Sequence, residues 1–402
     1  MSNGVTPGIP FNIVFSENNS ALTLGQDRTI ELAPGIDAEA RADLMEETLV
    51  FPSLKLDKDA VRVWWKVAGP TAPNPPQRLP IELDGRPIGW LERSQEPFLF
   101  DKPVYTGRID LSPEMLFSEH THLARLRVGI GQETPRASAH NSIRTLVLPR
   151  TLFRDQHNVP DLSNIHRVSG PTSDQTQYLV GGVTTFLQLE ALSHRYFGRS
   201  IFSFPMVVDW GVGCARVMRN FFDASMPGAS DRNRVQRVLG LDIDEVNIDW
   251  CNANLSGLGQ YERLGFEGFE LESASVDFLY GISVMTHLTE FHQHLWLAEI
   301  ARVLKPGGCA VLTTHGEFVV YGEYALSGSV GISTPFVDKF GFFDGVPDNA
   351  LGDGLDTYYR ATYHARRYIR ENWGRYLEVL DIVPAANAFR QDFVVLKKNL
   401  VT

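Results

Sequence analysis

The segment 207–216 (VVDWGVGCAR) limits what this chain can fold into more than any other stretch. An apolar run suited to a buried strand ends on an acid, meets two glycines spaced by one residue, and passes into Cys214-Ala215-Arg216. Glycine tolerates positive φ and lets backbone approach a ligand closely, so the pattern reads as strand, tight turn and helix. A dinucleotide fingerprint would need Gly or Ala at the sixth position, where Arg216 stands. A phosphate loop would need Gly-Lys-Ser/Thr, which is absent. What remains is Asp-x-Gly-x-Gly, an acid beside a glycine turn with no anion cradle, which suits a ligand carrying positive charge.

From residue 204 onward, strand and helix patterns alternate. Strands are expected at 206–210, 238–243, 276–283, 309–314, 377–383 and 392–397, and helices at 214–222, 245–254, 290–304 and 363–376. Such alternation implies a largely parallel sheet covered on both faces. Lys305-Pro306-Gly307-Gly308 is a strong stop for the third helix. Upstream, 61–67, 81–83 and 123–130 look like strands, and Asp84-Gly85 fits a hairpin turn. The proline-rich 69–80 reads as a loop. The expected organisation is a mostly β accessory domain over 1–150, a sandwich in one version, then a connector and lead-in helix over 151–199. The α/β domain then fills 200–402. Within the connector, apolar residues recur at helical spacing over 177–196.

Two further motifs stand where open α/β sheets bind ligands, beyond the carboxyl ends of the strands. Asp242, at the tip of the second strand, can accept hydrogen bonds from ribose hydroxyls, with Ile243 against an adenine, whereas Asp244 is better placed to cap the next helix. The turn Gly281–His287 follows the third motif strand and should line the same site.

Taken together, DWGVGCAR, GLDID, VDFLYGISVMTHL and EIARVLKPGG resemble, in this order, the successive motifs of class I S-adenosylmethionine-dependent methyltransferases. The resemblance covers roughly residues 200–398. It implies a Rossmann-like seven-stranded sheet whose last strand is antiparallel, and S-adenosylmethionine as cofactor. By position it implies that Asp209, Gly211 and Gly213 contact the methionine part, Asp242 the ribose and Ser283 the methionine end. Ala215 replaces a glycine often found in the first motif. Glu267, Glu270 and Glu272 are all open as the acid that binds the adenine amine.

Methyl transfer from a sulfonium needs mainly alignment, and an oxygen acceptor also needs a base. His287 and His315 close two strands that should face one cleft, and imidazole suits proton removal at neutral pH. His292 and His294 fall on a helix and read as solvated or packing residues, and Tyr280 and Tyr363 are weaker candidates. Trp64, Trp65 and Trp90 are open to two readings, a sugar-stacking face or core and hairpin packing. A formal net charge of −11 speaks against a nucleic-acid partner. There is neither a signal-peptide pattern at the start nor an apolar run of membrane-spanning length, and the three cysteines lack metal-type spacing. A cytoplasmic enzyme with free thiols and no metal is therefore expected. The turns around Thr286-His287-Leu288 and Thr313-Thr314-His315-Gly316 resemble methyltransferases of bacterial sugar and polysaccharide pathways, which implies a hydroxyl of a small molecule or carbohydrate as acceptor. The alternatives are N-methylation of a protein or natural product, and a non-catalytic cofactor-binding scaffold. The oligomeric state stays open.

Overall fold

The computed structural model describes residues 48–400 except 58–59, 70–73, 95–101, 130–134, 154–157, 171–172, 231–234, 321–332 and 346–358. The first 47 residues of the expected accessory unit, part of its proline-rich loop and the end of its 123–130 strand therefore lie outside the described residues.

Strands β1 (Leu49–Leu56), β2 (Val61–Ala68), β3 (Arg78–Leu83), β4 (Arg86–Arg93), β5 (Val104–Leu111), β6 (Leu123–Val128) and β7 (Leu146–Pro149) form one antiparallel sheet in the order β1-β2-β5-β4-β3-β6-β7. Alternation along β2 sets its two faces: Val61, Val63, Trp65 and Val67 are buried, while Arg62, Trp64 and Lys66 point the other way. At the expected hairpin, Asp84 (φ 48°) and Gly85 (φ 82°) are both left-handed, the geometry a two-residue turn needs to match strand twist. Among the described residues no second sheet packs on the apolar face, as the sandwich version of the expectation would have it. Leu116, Leu152, Val180 of the lead-in helix and Phe389 from the far end of the chain pack there instead.

The connector holds more structure than its composition suggests. Asp161 accepts a hydrogen bond from the Asn164 amide (3.0 Å) and caps a helix, Leu162–Ser169. The lead-in helix runs Gln175–Leu192, capped by Asp174, and continues into a wider turn over Ser193–Phe197. It belongs to both units. Val180 packs in the β-rich core, Val183, Phe186 and Leu189 pack under the second sheet, and the Thr184 hydroxyl exchanges hydrogen bonds with the backbone of Val147 on β7.

The second sheet is built from β8 (Met206–Trp210), β9 (Arg237–Asp242), β10 (Gln260–Arg263), β11 (Val276–Gly281) and β12 (Leu304–Thr314). After a small pair, β13 (Phe342–Gly345) and β14 (Ala361–His364), it is completed by β15 (Glu378–Asn387) and β16 (Gln391–Lys397). The order is β10-β9-β8-β11-β12-β16-β15, with β16 antiparallel to both neighbours. Alternate residues feed two cores: Val207, Phe278, Tyr280 and Val311 pack toward Phe186, while Val208, Trp210, Leu279 and Leu312 pack toward Trp296.

Three local expectations are corrected. The segment after Gly213 is a run of turns ending in a 3-10 helix, Met218–Phe222, because Ala215 sits at φ 58° and interrupts any regular helix. Tyr363 lies on β14, paired with Phe343, so the last helix begins only at Arg366. Lys305-Pro306-Gly307-Gly308 does end a helix, at Val303, but forms a wide bulge inside β12: Val276 pairs with Leu304 and Phe278 already with Cys309. All three cysteines are buried free thiols.

Candidate active site

The ends of β8, β9, β11 and β12 converge on the Gly211–Ala215 turn. Gly211 (φ 77°) and Gly213 (φ 53°) need the left-handed region, and a Cβ on Gly211 would come within 2.4 Å of Val284. The turn is tied to the second strand, since the Gly213 amide donates to Asp242 Oδ2 (2.7 Å) and the Asp244 amide to Asp242 Oδ1 (2.9 Å). Asp244 caps the helix Glu245–Asn254 and is gripped by the Arg167 guanidinium at 2.8 and 3.1 Å. Ile243 follows, half-buried, at the same strand tip.

Asp209 is buried, and the Tyr280 hydroxyl donates to its Oδ2 (2.7 Å). Burial, reinforced by Asp242, lifts Asp209 to about 7, and burial likewise lifts Asp242 to about 6. The turn therefore carries two acids, each lacking a strong positive partner of its own. Arg216, packed against the Gly181-Gly182 pair of the lead-in helix, acts on Asp209 electrostatically but is itself pulled down by burial. Two acids of this kind fit a ligand with ammonium and sulfonium charges. Tyr280 thus serves the turn by bonding to Asp209.

Across the sheet, Ser283 (φ 62°) donates its amide to Thr313 Oγ1 (2.7 Å), and its hydroxyl contacts both amide atoms of Gln391. Gln391 also accepts from Asn387, whose side-chain oxygen accepts from Thr185 on the lead-in helix. His315 lies beside this network, with Nε2 3.4 Å from the Gln391 amide nitrogen.

The two histidines at the strand ends are brought into one region by β14 and its approach. His315 pairs with Tyr363 and its carbonyl accepts from the His364 amide, while the His287 carbonyl accepts from the Arg360 amide. His287 Nδ1 lies 3.0 Å from the Arg360 carbonyl, which can only accept, so Nδ1 carries the proton and Nε2 the lone pair. Burial lowers His287 to about 4 and pushes His315 well below its usual value, so both are neutral at physiological pH. Tyr359 stacks on His287 (centroids 4.3 Å, 27°). It is half-buried, and desolvation, followed by the nearby charges of Asp242 and Asp244, raises its pKa.

His292 and His294 are spent elsewhere, on the Thr289 cap and on Tyr376. Glu267, Glu270 and Glu272 are all exposed on the connection between β10 and β11. Reading the sequence missed Gln391, Tyr359 and the Gly182–Arg216 contact. A Gly-Gly pair inside a helix is the one local sign of the last.

A sheet of this order, with its acid-glycine turn after the first strand and an acid at the tip of the second, defines a class I S-adenosylmethionine-dependent methyltransferase domain. Residues 212–312 match the family model described as a methyltransferase domain, and the chain is an enzyme of that class with S-adenosylmethionine as its cofactor. Solved structures similar to it include S-adenosylmethionine-dependent methyltransferases from Methanosarcina mazei (16% identical, covering 52% of this chain and 97% of that one, TM-score 0.34) and Mesorhizobium loti (13%, 52% and 97%, TM-score 0.36). Another is the magnesium protoporphyrin IX methyltransferase of Synechocystis with bound SAH (14%, 62% and 100%, TM-score 0.38). Among the described residues no helix is long and apolar enough to cross a membrane.

Proposed function

We propose that this enzyme methylates a hydroxyl of a small molecule or carbohydrate. In this reading Asp209, Gly211 and Gly213 hold the methionine part of the cofactor, Asp242 the ribose, Ile243 the adenine and Ser283 the methionine end. Residues before about 150 then form an accessory unit beside the catalytic one.

The cofactor supplies a methyl group on a cationic sulfonium that leaves without further activation. The protein's task is to align an acceptor oxygen and take its proton as the O–C bond forms and the C–S bond breaks. The observation that carries the reading is the state of His287. Its Nδ1–H donates to the Arg360 carbonyl, which makes Nε2 the basic nitrogen of a neutral ring, and Tyr359 stacks on that ring. His315, equally neutral and set beside Gln391, orients the same hydroxyl.

Two outcomes are expected. Asp242→Ala should weaken S-adenosylhomocysteine binding in calorimetry by about 1–3 kcal/mol, the scale of hydrogen bonds lost to a charged group. Unchanged affinity would remove the ribose assignment. His287→Ala should lower kcat by about 10²–10⁴ while cofactor affinity holds, the usual contribution of a positioned base. Retained turnover would move the base elsewhere. The deciding assay incubates the protein with methyl-labelled cofactor and fractionated lysate. Label in a small-molecule or polysaccharide fraction supports the reading, and label in protein or RNA replaces its acceptor. Cofactor binding with no transfer in any fraction favours a scaffold.

A further inference from the structure

The outward face of the β1–β7 sheet plays no part in the chemistry above. Of the three tryptophans there, Trp65 is buried in the core, whereas Trp64 is half-buried and Trp90 is 55% exposed on the opposite face. The register aligns the outer two. Trp64 on β2 pairs with Arg108 on β5. On the other side Glu92 of β4 pairs with Thr106, and a Cβ on Gly107 would meet the Trp90 carbonyl (3.1 Å) and the Leu91 Cα (3.3 Å). Trp90 therefore comes opposite Arg108, and Pro80 follows on β3. The result is one row across four strands: Trp64, Arg108, Trp90, Pro80.

The row lies on a surface of mixed charge. Lys55, Arg62, Lys66, Arg78, Arg108 and Arg127 project from outward positions against three acids, and each acid is held by an arginine. These are Glu82 by Arg127 (2.6 Å), Glu92 by Arg78 (2.8 Å) and Asp110 by Arg62 (2.9 Å), with Arg108 farther from Asp110 at 3.8 Å. Among the described residues these outward strand positions carry more basic than acidic side chains, in a chain of net charge −11. The Arg62 guanidinium sits 5.6 Å from the Trp64 ring centre and holds that ring in place.

We propose that this face binds an extended acidic polysaccharide, two sugar rings seating on Trp64 and Trp90 with an anionic group between them at Arg108. Adjacent strands are about 4.8 Å apart, so the two tryptophans are separated by roughly 10 Å, the length of one disaccharide step in an extended glycan. A glycan that alternates neutral and anionic sugars matches that spacing: apolar sugar faces over the indoles, one carboxylate or sulfate per step on the guanidinium. The acids interleaved with the arginines favour such a partner over a nucleic acid, whose phosphates recur at every residue and would meet Glu92 and Asp110 repeatedly. The proposal deepens the carbohydrate reading of the acceptor and rests on it: the sheet grips the chain whose hydroxyl the other unit methylates.

The test is calorimetry of the full chain with three probes: a hexasaccharide of alternating glucuronic acid and N-acetylglucosamine, a neutral cellohexaose, and a ten-residue single strand of DNA. The acidic hexasaccharide should bind alone, with affinity falling as salt rises. Trp90→Ala and Arg108→Glu, both at exposed positions, should each weaken it by about tenfold or more while S-adenosylhomocysteine binding is unchanged. Equal binding of cellohexaose, tighter binding of DNA, no binding of any probe, or variants that bind like the parent would each overturn it. Because these readouts do not involve methyl transfer, they fail separately from the acceptor assignment. A sugar methylated in the labelling assay by a chain that binds no hexasaccharide sinks the sheet proposal alone.

Discussion

Binding of S-adenosylmethionine should weaken steeply as pH falls from 8 to 5 and should release protons below pH 7. Without ligand, burial holds Asp209 at about 7 and Asp242 at about 6, so both are largely protonated at pH 5. A cationic ligand favours the ionised carboxylates, and each proton that must leave weakens affinity tenfold per pH unit below the pKa of its group, since one unit is about 1.4 kcal/mol. Over this range the two acids together predict a loss on the order of a thousandfold. The histidines do not offset it, because His287 stays neutral down to about 4 and the buried His315 and His364 lie lower than usual as well. Turnover at saturating cofactor should accordingly stay level over the same range. Calorimetry in buffers of different ionisation enthalpy counts the protons. PH-independent affinity with no proton release would mean that the two acids do not face the cofactor's charge.

The second large effect is expected at Gly182, far from any catalytic group. A Cβ there would lie 2.2 Å from the Arg216 carbonyl oxygen and 3.0 Å from its carbonyl carbon, so the conflict is with backbone that has no rotamer to change. Gly182→Ala should destabilise the protein by about 3 kcal/mol, at the upper end for overpacking and well beyond the ~1 kcal/mol that alanine returns as a better helix former. It should weaken cofactor binding too, because the turn bearing Gly213 must shift. Gly181→Ala is the control. Its nearest neighbour is the tip of the Arg216 side chain at 3.2 Å, which can swing away. Denaturant unfolding of the pair separates helix propensity from backbone contact, and equal stability of the two variants would refute the assignment.

Much of the catalytic sheet was legible because its strands are short apolar runs punctuated by acids and glycines, a signal carried locally. Asp84-Gly85 was readable for the same reason. The misses share a cause: they depend on pairings remote in sequence. Tyr363 continues a helical pattern, yet its neighbours hydrogen-bond to Phe342–Gly345 and to His315, which draws it into a strand. Ala215 looks like an ordinary helix residue until its left-handed backbone is seen. In the site, Asp209, Asp242 and the two histidines could be named from strand ends alone. Gln391 could not, because its contact with Ser283 spans 108 positions and is made by the last hairpin folding back.

The lead-in helix has a consequence for the chain as a piece of architecture. It gives Val180 to one core, Phe186 and Leu189 to the other, bonds the edge of β7 through Thr184 and packs against Arg216, beside the Gly211–Ala215 turn, through Gly182. Phe389, from the final hairpin, is seated in the β-rich core at the opposite limit of the chain. The two sheets are thus keyed together by these side chains, and also by Arg144, which donates to the Pro384 carbonyl, and by His140 against Asp381, as a mortise holds a tenon. A cut near residue 150 would leave apolar keys without their sockets, so the smallest transplantable catalytic unit of this enzyme includes the sheet that takes no part in its chemistry.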